Sequence, residues 1–97
     1  MHVISRKALR AFGEDEPEAK AALDSWFHEA RRAEWKTPAE LKEQYRSASI
    51  LKNGRAVFNI AGNKFRLVVR IDYEAGIVFV RFVGTHADYD GIDTEEI

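Results

Sequence analysis

The chain has 97 residues, 45% of them hydrophobic, which is enough for one buried core, so a single domain over 1–97 is expected. The absence of cysteine excludes a disulfide framework and thiolate metal sites, and His2, His28 and His86 fit no metal-ligand spacing, so neither metal nor cofactor is expected. The formal net charge of -1 argues against a uniformly basic nucleic-acid binder, but it conceals segregation: residues 1–30 sum to -2, residues 31–81 to +6 and residues 82–97 to -5.

His2, Val3 and Ile4 read as a short first strand. Ser5 stands where an N-cap would, ahead of Ala8, Leu9 and Phe12 on one helical face, and Gly13 is placed to end that helix. Pro17 suits the first position of the clearest amphipathic helix, in which Ala19, Ala22, Leu23, Trp26, Phe27 and Ala30 recur at three- and four-residue spacing. Trp26, Phe27 and Trp35 are read as core or partner-facing residues. Thr37, Pro38 and Glu40 spell a capping box for a short helix running through Leu41 to about Tyr45. Ser49 to Leu51 is a short strand or an extended loop. Asn53-Gly54 is a favoured two-residue hairpin turn, and Arg55 to Ile60 is the strand that follows it.

From Lys64 to Asp72 the alternation puts Phe65, Leu67, Val69 and Ile71 on one side and Lys64, Arg66, Val68 and Arg70 on the other. In Ile77 to Val83, Val78, Val80 and Phe82 are expected inward and Ile77, Phe79, Arg81 and Val83 outward. Phe58 and Ile60 are likewise inward, with Arg55, Val57 and Asn59 outward. Gly62-Asn63 and Glu74-Ala75-Gly76 supply the turns of a meander. The fold class is therefore α+β, an N-terminal strand and two to three helices packed on one face of a three- to four-stranded, mostly antiparallel sheet. Its second face mixes Arg55, Arg66, Arg70 and Arg81 with Val57, Val68 and Phe79. Apolar atoms on such a basic face suggest contact with a base or a partner protein. No targeting leader and no run of roughly 18 apolar residues is present, so a cytoplasmic location without membrane association is expected.

The run Phe58-Asn59-Ile60-Ala61-Gly62-Asn63-Lys64-Phe65-Arg66-Leu67, followed by Val83-Gly84-Thr85-His86 and Tyr89-Asp90, resembles the HigB toxins of the RelE superfamily. The opening Met1-His2-Val3-Ile4 and the Trp35-Lys36-Thr37-Pro38 segment fit the same family. The resemblance implies a RelE-like fold and the toxin half of a type II toxin-antitoxin pair, a ribosome-dependent endonuclease that cuts mRNA without a metal. It also implies a HigA-type antitoxin with a helix-turn-helix domain as partner. Arg66 matches the family's arginine on this strand, and His86 and Tyr89 lie where its groups after the last strand are found. Where many members carry two lysines on the preceding strand, this chain has Val57 and Asn59, with Lys64 the nearest substitute.

Metal-free RNA cleavage can use the 2′-hydroxyl as nucleophile, which needs a proton acceptor, a proton donor for the leaving 5′-oxygen, and cations on the phosphate. His86 is the one histidine near the proposed site, and imidazole titrates close enough to neutrality for either proton role. The other reading of His86 is a structural residue in a loop. Arg66, Arg81 and Arg70 stay charged and can hold phosphate or stabilise charge in the transition state, or be ordinary surface cations. Lys64 and Arg55 join Arg70 as RNA-binding candidates. Tyr89 can orient a group, donate a proton, stack on a base, or pack the tail against the sheet, and Asp90 can position His86 or be a surface turn residue. Two other functions remain open, a non-catalytic toxin of the same fold that acts by binding its target, and a protein-interaction module.

Overall fold

The computed structural model describes every residue except 95. In chain order its elements are β1 (His2–Ile4), α1 (Arg6–Asp15), α2 (Pro17–Arg32), α3 (Pro38–Gln44), β2 (Ser49–Ile50), β3 (Arg55–Ile60), β4 (Phe65–Asp72), β5 (Ile77–Thr85) and α4 (His86–Asp90). The strands form one sheet in the order β1-β5-β4-β3-β2, with β1 parallel to β5 and all other neighbours antiparallel. The chain is thus α+β, with α1, α2 and α3 supplying Leu9, Leu23, Trp26 and Leu41 to a core that the inward residues of β3, β4 and β5 complete.

The local signals explain most of these boundaries. Pro17 opens α2, where its missing N–H costs nothing, and Arg31 and Arg32 end it beside the negative end of the helix dipole. At α3 the Thr37 hydroxyl accepts from the Glu40 N–H at 3.3 Å, and Glu40 Oε1 accepts from the Lys36 N–H at 2.8 Å. Asn53 and Gly54 both take positive φ, 59° and 76°, as the tight turn from β2 to β3 requires. Gly13 does not end α1 as expected, since the helix continues to Asp15. Gly13 is buried where a Cβ would stand 3.3 Å from the Lys20 backbone, so its smallness serves the close approach of α1 and α2.

An aromatic cluster centred on Phe58 joins the helices to the sheet. Trp26 and Tyr45 meet its ring edge-on at centroid distances of 5.3 and 5.0 Å, and Trp35 stacks on it at 6.3 Å. Each such pair adds about 0.5–1.5 kcal/mol beyond simple burial. Phe58→Ala would empty the centre of the cluster at a cost of roughly 3–5 kcal/mol.

Two expectations about side-chain direction are corrected. The register between β4 and β5 slips at Val68/Val69: Val69 pairs with Val80, but Val68 pairs with Phe82, leaving Arg81 as an extra residue in β5. Beyond this bulge the parity of β5 inverts, so Phe82 lies on the second face with Val68 and Arg66, and Val83 packs against the helix-side core. Lys64 falls in the turn before β4, outside the alternation. Its ammonium turns to Glu18 of α2 at 2.9 Å, on the helix-bearing side.

Candidate functional site

The register arranges the second face in three rows that run across the strands. The first contains Ile4, Phe79, Arg70 and Arg55, the second Phe82, Val68 and Val57, and the third Gly84, Arg66 and Asn59. Arg81, two residues on from Phe79 and on the same side of β5, has its guanidinium 5.5 Å from the ring centroid, while that of Arg70 lies 5.9 Å from the same ring. Both arginines are exposed.

The middle row is closed to solvent although it faces away from α1, α2 and α3. Val57 is 4% exposed and Val68 0%, and neither belongs to the helix-side core. Arg55, at the β3 end of the first row, is engaged by the end of the chain. Its Nε and Nη2 donate to the Ile97 carbonyl oxygen at 3.1 and 2.8 Å. The end of the chain is thereby held against the first row on β3. Arg55, expected as an open RNA-binding cation, therefore acts first as the anchor of the chain's end.

Arg66 is the one buried charged residue, 8% exposed among the described residues. Burial of a guanidinium is tolerable only if its N–H groups find acceptors. Nη1 donates to the carbonyls of Asn63 at 3.1 Å and Phe65 at 3.2 Å, and Nη2 donates to Asn63 Oδ1 at 2.7 Å. Three of five N–H groups are thereby spent, leaving Nε–H and one Nη2–H, the pair that can grip a phosphate bidentately. Asn63, not singled out from the sequence, is what holds that fork in place.

His86 opens α4 immediately after β5. Its backbone N–H donates to the Lys64 carbonyl at 3.0 Å, which ties the start of the helix to the turn that precedes Arg66. Thr85 caps the helix, its hydroxyl accepting from the Asp88 N–H at 3.1 Å, so Thr85-His86-Ala87-Asp88 was a readable start signal that the sequence reading passed over. One turn on, Asp90 Oδ2 lies 3.1 Å from His86 Nδ1. With Nδ1 beside Asp90, Nε2 on the far side of the ring is left for proton transfer. Asp90 is thus a close neighbour of the His86 ring, an ion-pair partner when that ring is charged, and not a bare turn residue. Tyr89 is half-buried on the same short helix.

The structure brings Arg66, His86, Asp90 and Tyr89 together at one end of β4 and β5, gathers Arg70 and Arg81 around Phe79 further along, and directs Lys64 and Arg55 to other partners. A cavity of about 680 Å³, lined by Met1, Arg6, Phe27, Trp35 and Tyr73, reaches Gly76, at the opposite end of β5 from His86. The chemically equipped surface is therefore an open face and not that cavity. No group of three or more metal-ligating side chains is found among the described residues.

Comparisons with known proteins agree over nearly the whole chain. Residues 19–92 match the family described as HigB toxin, the RelE-like toxic component of a toxin-antitoxin system. The mRNA interferase toxin HigB of Escherichia coli is 33% identical over 92 residues, which cover 93% of this chain and 88% of its own. The mRNA interferase HigB of Shigella flexneri gives the same values, and that of a second Escherichia coli strain is 26% identical with coverage of 93% and 89%. The family match and the extent of these similarities show that this chain belongs to the HigB toxin family, the RelE-like toxic component of toxin-antitoxin systems, and so to a family whose members have an antitoxin for a partner.

Proposed function

We propose that the chain is a single-domain cytoplasmic mRNA endonuclease that needs no metal, cuts messages on the translating ribosome, and is neutralised by a HigA-type antitoxin with a helix-turn-helix domain. The observation that carries this reading is the pairing of an imidazole beside a carboxylate with an immobilised guanidinium. His86 has Nδ1 3.1 Å from Asp90 Oδ2, and Arg66 is held by Asn63 with a free fork, at the same end of adjacent strands. No helix of the described residues is long and apolar enough to cross a membrane.

In the reaction, the 2′-oxygen of one nucleotide attacks the adjoining phosphorus as its proton passes to a base. The bond from phosphorus to the 5′-oxygen breaks, and that oxygen takes a proton from an acid. The products are a 2′,3′-cyclic phosphate and a 5′-hydroxyl. His86 Nε2 serves as one of the two proton-transfer groups, with Tyr89 the nearest other candidate. Arg66 binds the phosphate oxygens and offsets the charge that grows on them, supported by Arg81, while Arg70 and the remaining cations guide the strand. Positioned acid-base groups supply roughly 10²–10⁴-fold. A flexible free RNA leaves the remaining alignment unmet, and a ribosome that holds the message in register provides it.

The test is to map mRNA 5′ ends in a purified translation system with wild-type protein, His86→Ala and Arg66→Ala. Cuts inside translated codons that vanish in both variants, with antitoxin binding kept, are the expected result. Translation arrest without new 5′ ends would replace this reading with a toxin that acts by binding alone.

A further inference from the structure

The first row of the second face carries a group of side chains that acid-base cleavage does not require. Phe79 is flanked by Arg70, its direct partner on β4, and by Arg81, two residues on along β5 and on the same side. Neither arginine has a carboxylate partner among the described residues. Both guanidiniums lie near the outer limit of about 6 Å for a cation–π contact, so they are loosely held and can leave the ring for stronger acceptors. Across β5 the apolar strip continues into Ile4, which is 36% exposed. An aromatic ring left half-buried on this face costs hydrophobic exposure, and two unpaired cations beside it cost mutual repulsion. A single ligand that offers a flat apolar face between two anions relieves both, and that is the chemistry of a nucleotide base with its flanking phosphates. An acidic peptide would satisfy the arginines but not the flat ring.

Resting on the endonuclease reading above, we infer that Phe79 is a base-stacking platform, with Arg70 and Arg81 holding the phosphates on either side of the stacked base. Arg70 stands four residues along β4 from Arg66, roughly 13 Å at strand spacing, so the stacked base is a neighbour of the one that is cut. Phe79 accordingly contributes to substrate register and to base preference. Purines, with the larger ring face, are favoured at that position.

The test uses Phe79→Leu, which keeps an apolar side chain but cannot stack, and Phe79→Tyr, which can. Binding of fluorescein-labelled oligoadenylate and oligouridylate, each about ten nucleotides long, is followed by anisotropy at low salt. Phe79→Leu is expected to weaken oligoadenylate binding roughly 5- to 100-fold, while Phe79→Tyr stays within about threefold of wild type. In the translation system, Phe79→Leu shifts the cut sites and loses any purine bias next to them. Equal binding by Phe79→Leu and wild type overturns the inference, as does an equal loss in both variants or the absence of RNA binding by wild type. So does loss of antitoxin binding with RNA binding unchanged, which assigns the ring to a protein partner. If the wild type cuts no translated message yet its oligoadenylate binding depends on stacking at Phe79, the endonuclease reading fails and the platform stands.

Discussion

Replacing Asn63 with alanine removes the Oδ1 acceptor that lies 2.7 Å from Arg66 Nη2 and leaves two backbone carbonyls to hold a guanidinium that is only 8% exposed. A hydrogen bond to a charged group is worth about 1.5–3 kcal/mol net. Asn63 itself is exposed, so water replaces part of the loss and the lower end, about 1.5 kcal/mol, applies. At about 4–8 °C per kcal/mol for a domain of this size, the melting temperature falls by roughly 6–12 °C. Thermal unfolding followed by circular dichroism measures it. Asn63→Asp separates anchoring from chemistry, because the carboxylate still accepts from Nη2 while neutralising the cation that the phosphate needs. It is expected to melt close to wild type and to cut mRNA at least tenfold more slowly, about 1.4 kcal/mol in barrier. A melting temperature for Asn63→Ala within about 2 °C of wild type would refute the argument that Asn63 is what makes the buried Arg66 tolerable.

Four further outcomes are expected. Gly54→Ala forces a Cβ to 2.6 Å from the Ile71 carbonyl oxygen at a φ of +76°, so urea unfolding should register a loss of at least about 2 kcal/mol. Gly84→Ala puts a Cβ 2.6 Å from Phe82 Cζ and costs about 1–2 kcal/mol, most of which a second change, Phe82→Leu, should restore; strict additivity in that double-mutant cycle would contradict the placement of the Phe82 ring over Gly84. The Tyr45 hydroxyl donates to Glu29 Oε1 at 2.5 Å, and burial first, then the Glu29 carboxylate, hold its pKa well above the ordinary 10.0. A raised pKa means that the neutral phenol is the form the fold prefers. The stabilisation is complete below pH 10 and is lost as pH rises toward the folded-state value, so the stability gap between wild type and Tyr45→Phe should narrow above pH 10, and a constant gap would count against it. Asp90→Asn should leave stability within a few tenths of a kcal/mol, since its pair with His86 is a solvent-exposed one, yet slow mRNA cutting several-fold by releasing the imidazole.

The helices and the inner face of the sheet were legible because their signals are local. Pro17, Thr37 with Glu40, and Asn53-Gly54 announce element starts and a turn within two to four residues. Strict alternation from Phe65 to Ile71 assigns the faces of β4 without reference to any neighbour. The family signature around Arg66 and His86 was equally a matter of adjacent residues. What failed did so for one physical reason. Reading β5 by period two assumes an unbroken register, and nothing in Ile77 to Val83 says that Arg81 will be the extra residue, because a bulge is a relation between two strands and not a property of one. Everything that follows from that slip came only with the assembled sheet: Phe82 against Gly84, and Val83 in the core.

The sequence by itself determined that this chain makes an α+β domain with a basic second face and belongs beside the HigB toxins. Only the tertiary structure decided what that face is. It tied Arg66 to Asn63, put His86 beside Asp90, turned Lys64 toward Glu18, and engaged Arg55 with the Ile97 carbonyl. Arginine alternation along a strand specifies where charges point. Which of them remain available depends on partners far apart in sequence, and those are chosen when the sheet closes and the ends of the chain pack onto it.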